Sequence, residues 1–203
     1  MYIRTMKKII LITGGERSGK SRFAEQLALR LSDHPVYLAT ARIWDEEFNV
    51  RVERHRKRRG PQWTNIEEEK QLSRHWLEGR TVVVDCLTLW ATNFFFDYRP
   101  DPENRQNRLQ GTTMERQQAE EGLRQVEYAL QNVKREFLRF TDQDATFIFV
   151  TNEIGMGGVS ANDVQRRFTD LLGWTNQFVA SQADEVYLMV SGIPVKIKRD
   201  ETF

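Results

Sequence analysis

Lys8-Ile9-Ile10-Leu11-Ile12-Thr13-Gly14-Gly15-Glu16-Arg17-Ser18-Gly19-Lys20-Ser21 decides the fold. A short apolar, β-branched run stopped by two glycines is the pattern of a parallel strand buried on both faces. From Ser18 to Leu31 the period changes, and Phe23, Leu27 and Leu31 recur every four residues, as on one helical face. Between them lies Gly14-x4-Gly19-Lys20-Ser21. Glycines admit torsions that aim successive N–H groups inward, and a helix start adds positive potential, so this spacing cradles phosphate. Lys20 can reach the β- and γ-phosphates, and the Ser21 hydroxyl can ligate Mg²⁺. Gly14, Gly15, Glu16, Arg17, Ser18, Gly19, Lys20 and Ser21 are the candidate nucleotide-binding residues, against the alternative of a glycine turn that holds no phosphate.

Further strands and helices alternate along the chain. Val36 to Thr40, Thr81 to Asp85 and Thr146 to Val150 read as strands. Asp45 to Arg59 reads as a helix with acids first and bases last, matching the helix dipole. Glu67 to Leu77 and Ser160 to Gln182 are predicted helices, and Thr112 with Glu115 predicts a capping box for a helix running to about Phe140. Asp97 to Gly111 is polar and aperiodic, and reads as a mobile loop. Two apolar runs around Ser191-Gly192 predict an edge hairpin with Pro194 on the outside. The expected architecture is α/β: a three-layer P-loop NTPase fold, a mostly parallel sheet with helices on both faces, in one domain over residues 1–203.

Composition narrows the function classes. Thirty basic against 29 acidic residues leave a net charge of +1, so no global field draws the protein to nucleic acid or membrane. An apolar content of 39% is that of a globular chain. No apolar stretch is long enough for a membrane span. The single Cys86 suits a reducing compartment and reads as a buried free thiol. With no secretory pattern at the start, the expected location is the cytoplasm.

Two more positions carry chemistry. Asp85 ends an apolar strand, where a magnesium-organising acid stands in phosphate-loop enzymes, although strand-end acids also cap turns. His55 lies in a basic helix, with Arg51, Arg58 and Arg59 on its face at spacings of three and four. Guanidinium groups disfavour protonation, so His55 is expected to be neutral and nucleophilic, while the same cations stabilise departing pyrophosphate. A solvated basic helix and a nucleic-acid patch are the other readings of the run. The near-neutral total argues against the patch. His34 and His75 lack such a neighbourhood and read as turn and structural residues.

Ile12 to Ser21, Tyr37-Leu38-Ala39-Thr40-Ala41, Arg51-Val52-Glu53-Arg54-His55, Asp85 to Asn93, Val150 to Gly157 and Ser191 to Lys198 together resemble one family. It is the bifunctional adenosylcobinamide kinase and adenosylcobinamide-phosphate guanylyltransferase family of cobalamin biosynthesis. The resemblance implies two reactions. A nucleoside triphosphate, ATP or GTP, phosphorylates the aminopropanol hydroxyl of adenosylcobinamide. A histidine then attacks the α-phosphorus of GTP, releases pyrophosphate and passes GMP to adenosylcobinamide phosphate. It implies His55 and Lys20 as catalytic residues. It adds Thr40, Ala41, Arg42, Arg58, Arg59, Gly60, Pro61, Glu67 and Asp85 to the nucleotide-binding set, with Ser21 and Asp85 toward Mg²⁺. It also implies a homotrimer. Arg59-Gly60-Pro61 departs from the family's usual Arg-Pro pair, and Ser160 from a common proline. A monofunctional small-molecule kinase on the same loop is the competing reading. Glu153 is a candidate proton acceptor, and Phe94 to Phe96 read as an apolar plug more readily than as a corrin-facing surface.

Overall fold

The computed structural model describes residues 7–44, 46–100 and 113–198; between 46 and 58 the side chains of Glu47, Phe48, Arg51, Arg54, His55 and Arg58 lie outside the description. The strands are β1 (Lys8–Gly14), β2 (Val36–Ala39), β3 (Thr64–Glu67), β4 (Thr81–Asp85), β5 (Thr146–Val150), β6 (Glu185–Val190) and β7 (Ile193–Lys198). The helices are α1 (Lys20–Leu31), α2 (Glu46–Arg58), α3 (Leu87–Phe96), α4 (Met114–Phe140) and α5 (Asp163–Gln182). Among the described residues seven strands join one sheet in the order β3-β2-β4-β5-β1-β6-β7. Every pairing is parallel except β6 with β7. The expected α/β fold with its edge hairpin is what the chain forms.

Side-chain alternation along the strands feeds two cores. On one face Ile10, Ile12, Tyr37, Val83 and Ile148 pack with Ala24 and Ala28 of α1. On the other, Ile9, Leu11, Leu38, Val84 and Phe149 pack with Trp90 of α3, Phe137 of α4 and Leu171 of α5. The alanines of α1 let that helix lie close over the strand ends, which brings its N-terminus to the sheet's carboxyl edge. Phe137 is fully buried, its ring centroid 5.0 Å from that of Phe149. Truncating it to alanine would cost about 3–5 kcal/mol.

The structure corrects several expectations. Glu67 to Leu77 is not a helix: Thr64–Glu67 is a strand on β2, followed by a 3₁₀ turn at Leu72–Arg74. Pairing with the open edge of β2 outweighs helical periodicity here, and the Glu68 carboxylate accepts the N–H groups of Lys70 and Gln71, which fixes a turn. Helix α1 begins at Lys20, because the residues from Ser18 belong to the loop. Thr113 caps α4, accepting the Arg116 N–H at 3.4 Å, whereas Thr112 lies outside the described residues. Helix α5 starts at Asp163, capped by Asn162. The helix read from Asp45 runs from Glu46 to Arg58, with Asp45 outside the description.

The loop read from Asp97 is fixed at its start. Asp97 accepts two hydrogen bonds from Arg42, both at 2.9 Å, and an ion pair from Lys70. Residues 101–111 of that reading lie outside the description. Cys86 is a buried free thiol as expected. Phe94 and Phe95 are buried in the core and only Phe96 is half exposed, which fits the plug.

Candidate active site at the phosphate loop

Gly14 and Gly19 show why the loop needs glycine. Gly14 has φ +148°, and a Cβ there would lie 2.6 Å from the Met189 carbonyl oxygen of β6. Gly19 has φ +96°, and a Cβ would lie 3.3 Å from the Gly192 Cα in the β6–β7 turn. Gly192 N–H donates to the Ser18 carbonyl at 3.0 Å. The C-terminal hairpin therefore braces the phosphate loop from behind. Sequence reading missed this support, although the Ser191-Gly192 turn was visible, because nothing in one strand names its neighbour. The Ser18 hydroxyl is buried without a hydrogen-bond partner among the described residues, a polar group of the kind a phosphate oxygen would satisfy.

Lys20 opens α1 and is buried, its Nζ donating to the Gly15 carbonyl at 2.6 Å. Burial lowers its pKa, and the neighbouring Cys86, Asp85 and Glu16 oppose that shift. Asp85, at the end of β4, is thus near enough to act on the Lys20 ammonium. Ser21 follows on the first turn of α1. Among the described residues no group of three or more His, Cys, Asp or Glu could hold a metal. One hydroxyl and one carboxylate beside a phosphate cradle fit Mg²⁺, which takes few protein ligands and shares substrate phosphates.

The Tyr37 hydroxyl donates to Asp85 Oδ2 at 2.5 Å. Burial first, and the Asp85 charge next, raise the Tyr37 pKa well above its ordinary value, so the phenol is a fixed donor. The Arg59 guanidinium lies 3.6 Å from the Tyr37 ring centroid, and its Nε donates to Asn65 Oδ1 at 2.8 Å. Trp63 meets the same ring edge-on at 6.0 Å. Arg59 is the residue after α2, so the end of that helix is fastened to the sheet beside Asp85.

Thr40, Ala41 and Arg42 follow β2. Thr40 is fully buried and its hydroxyl is spent on the Cys86 backbone, so its side chain shapes the site from beneath. The Asn93 amide donates to the carbonyls of Thr40 and Glu69 at 2.8 and 2.9 Å. Arg42 pairs with Asp97 and, at 2.7 Å, with Glu69. Gly60 accepts the Trp63 N–H at 3.2 Å in the turn that also carries exposed Pro61. Glu67 stands apart: it is exposed at the end of β3, four strand spacings from β1, or about 19 Å. The backbone of His55 and Arg58 is in α2, and their side chains lie outside the description.

After β5 the Glu153 N–H donates to the Gly14 carbonyl at 3.0 Å, which ties Thr151 to Gly157 to the phosphate loop. The Glu153 carboxylate accepts the Gly155 N–H at 3.1 Å. A cavity of about 1240 Å³ opens beyond this stretch between α4 and α5, lined by Tyr98, Leu123, Val159, Val164 and Arg167 among others. No residue of the phosphate loop lines this cavity. His75 lies 3.8 Å from Glu68. Among the described residues no helix is long and apolar enough to cross a membrane.

The family model described as cobinamide kinase / cobinamide phosphate guanyltransferase matches residues 10–197. The chain is 37% identical over 195 residues to the bifunctional adenosylcobalamin biosynthesis protein CobU of Escherichia coli (strain K12), covering 94% of this chain and 99% of that protein. It is 36% identical over 192 residues to the bifunctional adenosylcobalamin biosynthesis protein CobP of Pseudomonas aeruginosa, covering 93% and 96%. It is also 36% identical over 196 residues to the CobU of Salmonella typhimurium, covering 94% and 99%. By this match over residues 10–197 and these relatives, the chain belongs to the cobinamide kinase / cobinamide phosphate guanyltransferase family.

Proposed function

We propose that the chain carries out both reactions of its family: phosphorylation of adenosylcobinamide by a nucleoside triphosphate, then transfer of GMP from GTP to the product. The observation that carries this reading is Lys20 at the head of α1, its Nζ on the Gly15 carbonyl and beside the Asp85 end of β4, within a chain matched by the family model from 10 to 197. In the kinase step the substrate hydroxyl oxygen attacks the γ-phosphorus, the bond to the β-phosphate oxygen breaks, and the nucleoside diphosphate leaves. Lys20 and the loop N–H groups hold the charge that builds on the transferring phosphoryl group. Glu153, anchored to the same loop, is the candidate to take the hydroxyl proton. Ser21 and Asp85 would hold Mg²⁺, which supplies charge neutralisation at the phosphates.

In the second step a neutral His55 nitrogen forms a bond to the α-phosphorus of GTP and pyrophosphate leaves. A phosphate oxygen of adenosylcobinamide phosphate then displaces the imidazole and gives the GDP derivative. Arg58 and Arg59, three and four residues beyond His55, are the candidates to balance the pyrophosphate charge. A homotrimer in the cytoplasm completes the proposal. The exposed Ile193, Val195 and Ile197 along edge strand β7 support self-association, because such a strip is costly to leave in water. Mass spectrometry of adenosylcobinamide incubated with ATP, GTP and Mg²⁺ tests the reading. Sequential gain of a phosphate and then a GMP group is expected; a product that stops at the phosphate leaves only a kinase.

A further inference from the structure

We propose that Tyr37 is a positioning residue that aims the Asp85 carboxylate at the phosphate loop and fastens the end of the His55-bearing helix to that same acid. The proposal rests on the metal and histidine roles given above. Its geometry is specific. The Tyr37 hydroxyl takes up Asp85 Oδ2 at 2.5 Å, which fixes the plane of the carboxylate and leaves Oδ1 for another partner. The same ring carries the Arg59 guanidinium on its face at 3.6 Å, while Trp63 holds its edge. Arg59 Nη1 is buried and finds no hydrogen-bond partner among the described residues, and this arginine is held by the ring and by Asn65.

One buried phenol therefore touches both halves of the machinery. Its oxygen meets the acid of the phosphoryl-transfer site, and its π face meets the first residue beyond the helix that bears the guanylyl-accepting histidine. A tyrosine needed only to fill the core could be phenylalanine, because Trp63 and α1 already exclude water from the ring. The hydroxyl adds a fixed donor to a carboxylate, the kind of outer partner that orients a metal ligand.

The test separates hydroxyl from ring. Tyr37→Phe keeps the stack on Arg59 and removes the donor. Mn²⁺ binding to the enzyme with a non-hydrolysable nucleotide, followed by electron paramagnetic resonance, should weaken about ten-fold. The Mg²⁺ needed for half-maximal kinase rate should rise in step, while metal-free nucleotide affinity, the cobinamide KM and the unfolding temperature hold. Tyr37→Leu removes the ring as well and should also lower the rate of guanylylation at saturating metal. Equal Mn²⁺ affinity in Tyr37→Phe and the unaltered protein overturns the Tyr37 assignment alone. Loss of metal affinity, nucleotide affinity and unfolding temperature together overturns it as well, leaving a packing role. No Mn²⁺ binding by the unaltered enzyme–nucleotide complex overturns the metal role of Asp85 from which the proposal starts.

Discussion

The Thr40 hydroxyl donates to the Cys86 carbonyl at 2.8 Å and accepts the Cys86 N–H at 2.9 Å. This pair of hydrogen bonds between the residue after β2 and the residue after β4 locks together the two strand ends that carry Arg42 and Asp85. Thr40→Val keeps the shape and strands the buried Cys86 N–H, while the Cys86 carbonyl keeps the Trp90 N–H at 3.0 Å. It should cost about 1–3 kcal/mol of stability in urea unfolding. The kinase rate should fall further than the folded fraction does, because Asp85 is displaced with its neighbour.

Gly14→Ala tests the brace between the phosphate loop and the hairpin. Its φ of +148° and the Met189 carbonyl at 2.6 Å leave no room for a methyl group, and the obstacle is backbone. A loss of about 2 kcal/mol or more is expected, together with a lowered affinity for triphosphate in calorimetry. Gly79→Ala meets no atom within 4 Å, although its φ of +73° adds some backbone strain, and should leave nucleotide affinity alone.

Much of this was legible in the sequence because the signals were local. The run Lys8 to Ser21 encodes strand, loop and helix in one stretch, and Asp85 stands out as a charge ending a run of valines. The edge strand Thr64–Glu67 was missed because it is short and mostly exposed, so its pairing with β2 leaves no period to read. Helix α3 was missed as well: its sequence from Leu87 to Phe96 is apolar almost all round, so no amphipathic stripe marks it. The Tyr37–Asp85–Arg59 cluster joins residues far apart in the chain, and only the folded sheet brings them together.

Glu185 predicts how stability follows pH. It is largely buried, which opposes ionisation, yet Lys8 at 2.8 Å, Tyr187 at 2.7 Å and Lys196 at 3.0 Å outweigh that and hold its pKa down to about 2 from 4.5. The folded state thus binds the proton less readily than the unfolded chain. Its contribution is complete above about pH 4.5 and is lost as pH falls through about 2. Glu185→Gln should lower the unfolding temperature at pH 7, and the gap from the unaltered protein should close as pH falls across that range.

Lys20→Met removes the ammonium proposed to hold the β- and γ-phosphates while keeping the buried stem. Phosphorylation of adenosylcobinamide should fall by at least about 100-fold, in line with losing one preorganised charge at a developing anion. The unfolding temperature should hold or rise, since burial already disfavours the charged form.

His55, on α2, is the residue proposed to receive GMP. Incubation of the enzyme with GTP labelled at the α-phosphorus should leave label on the protein that is lost in acid and kept in base, with one pyrophosphate released per label. His55→Ala should carry none of it while still phosphorylating adenosylcobinamide. Label that persists in His55→Ala, or no label on the unaltered protein, would contradict the account.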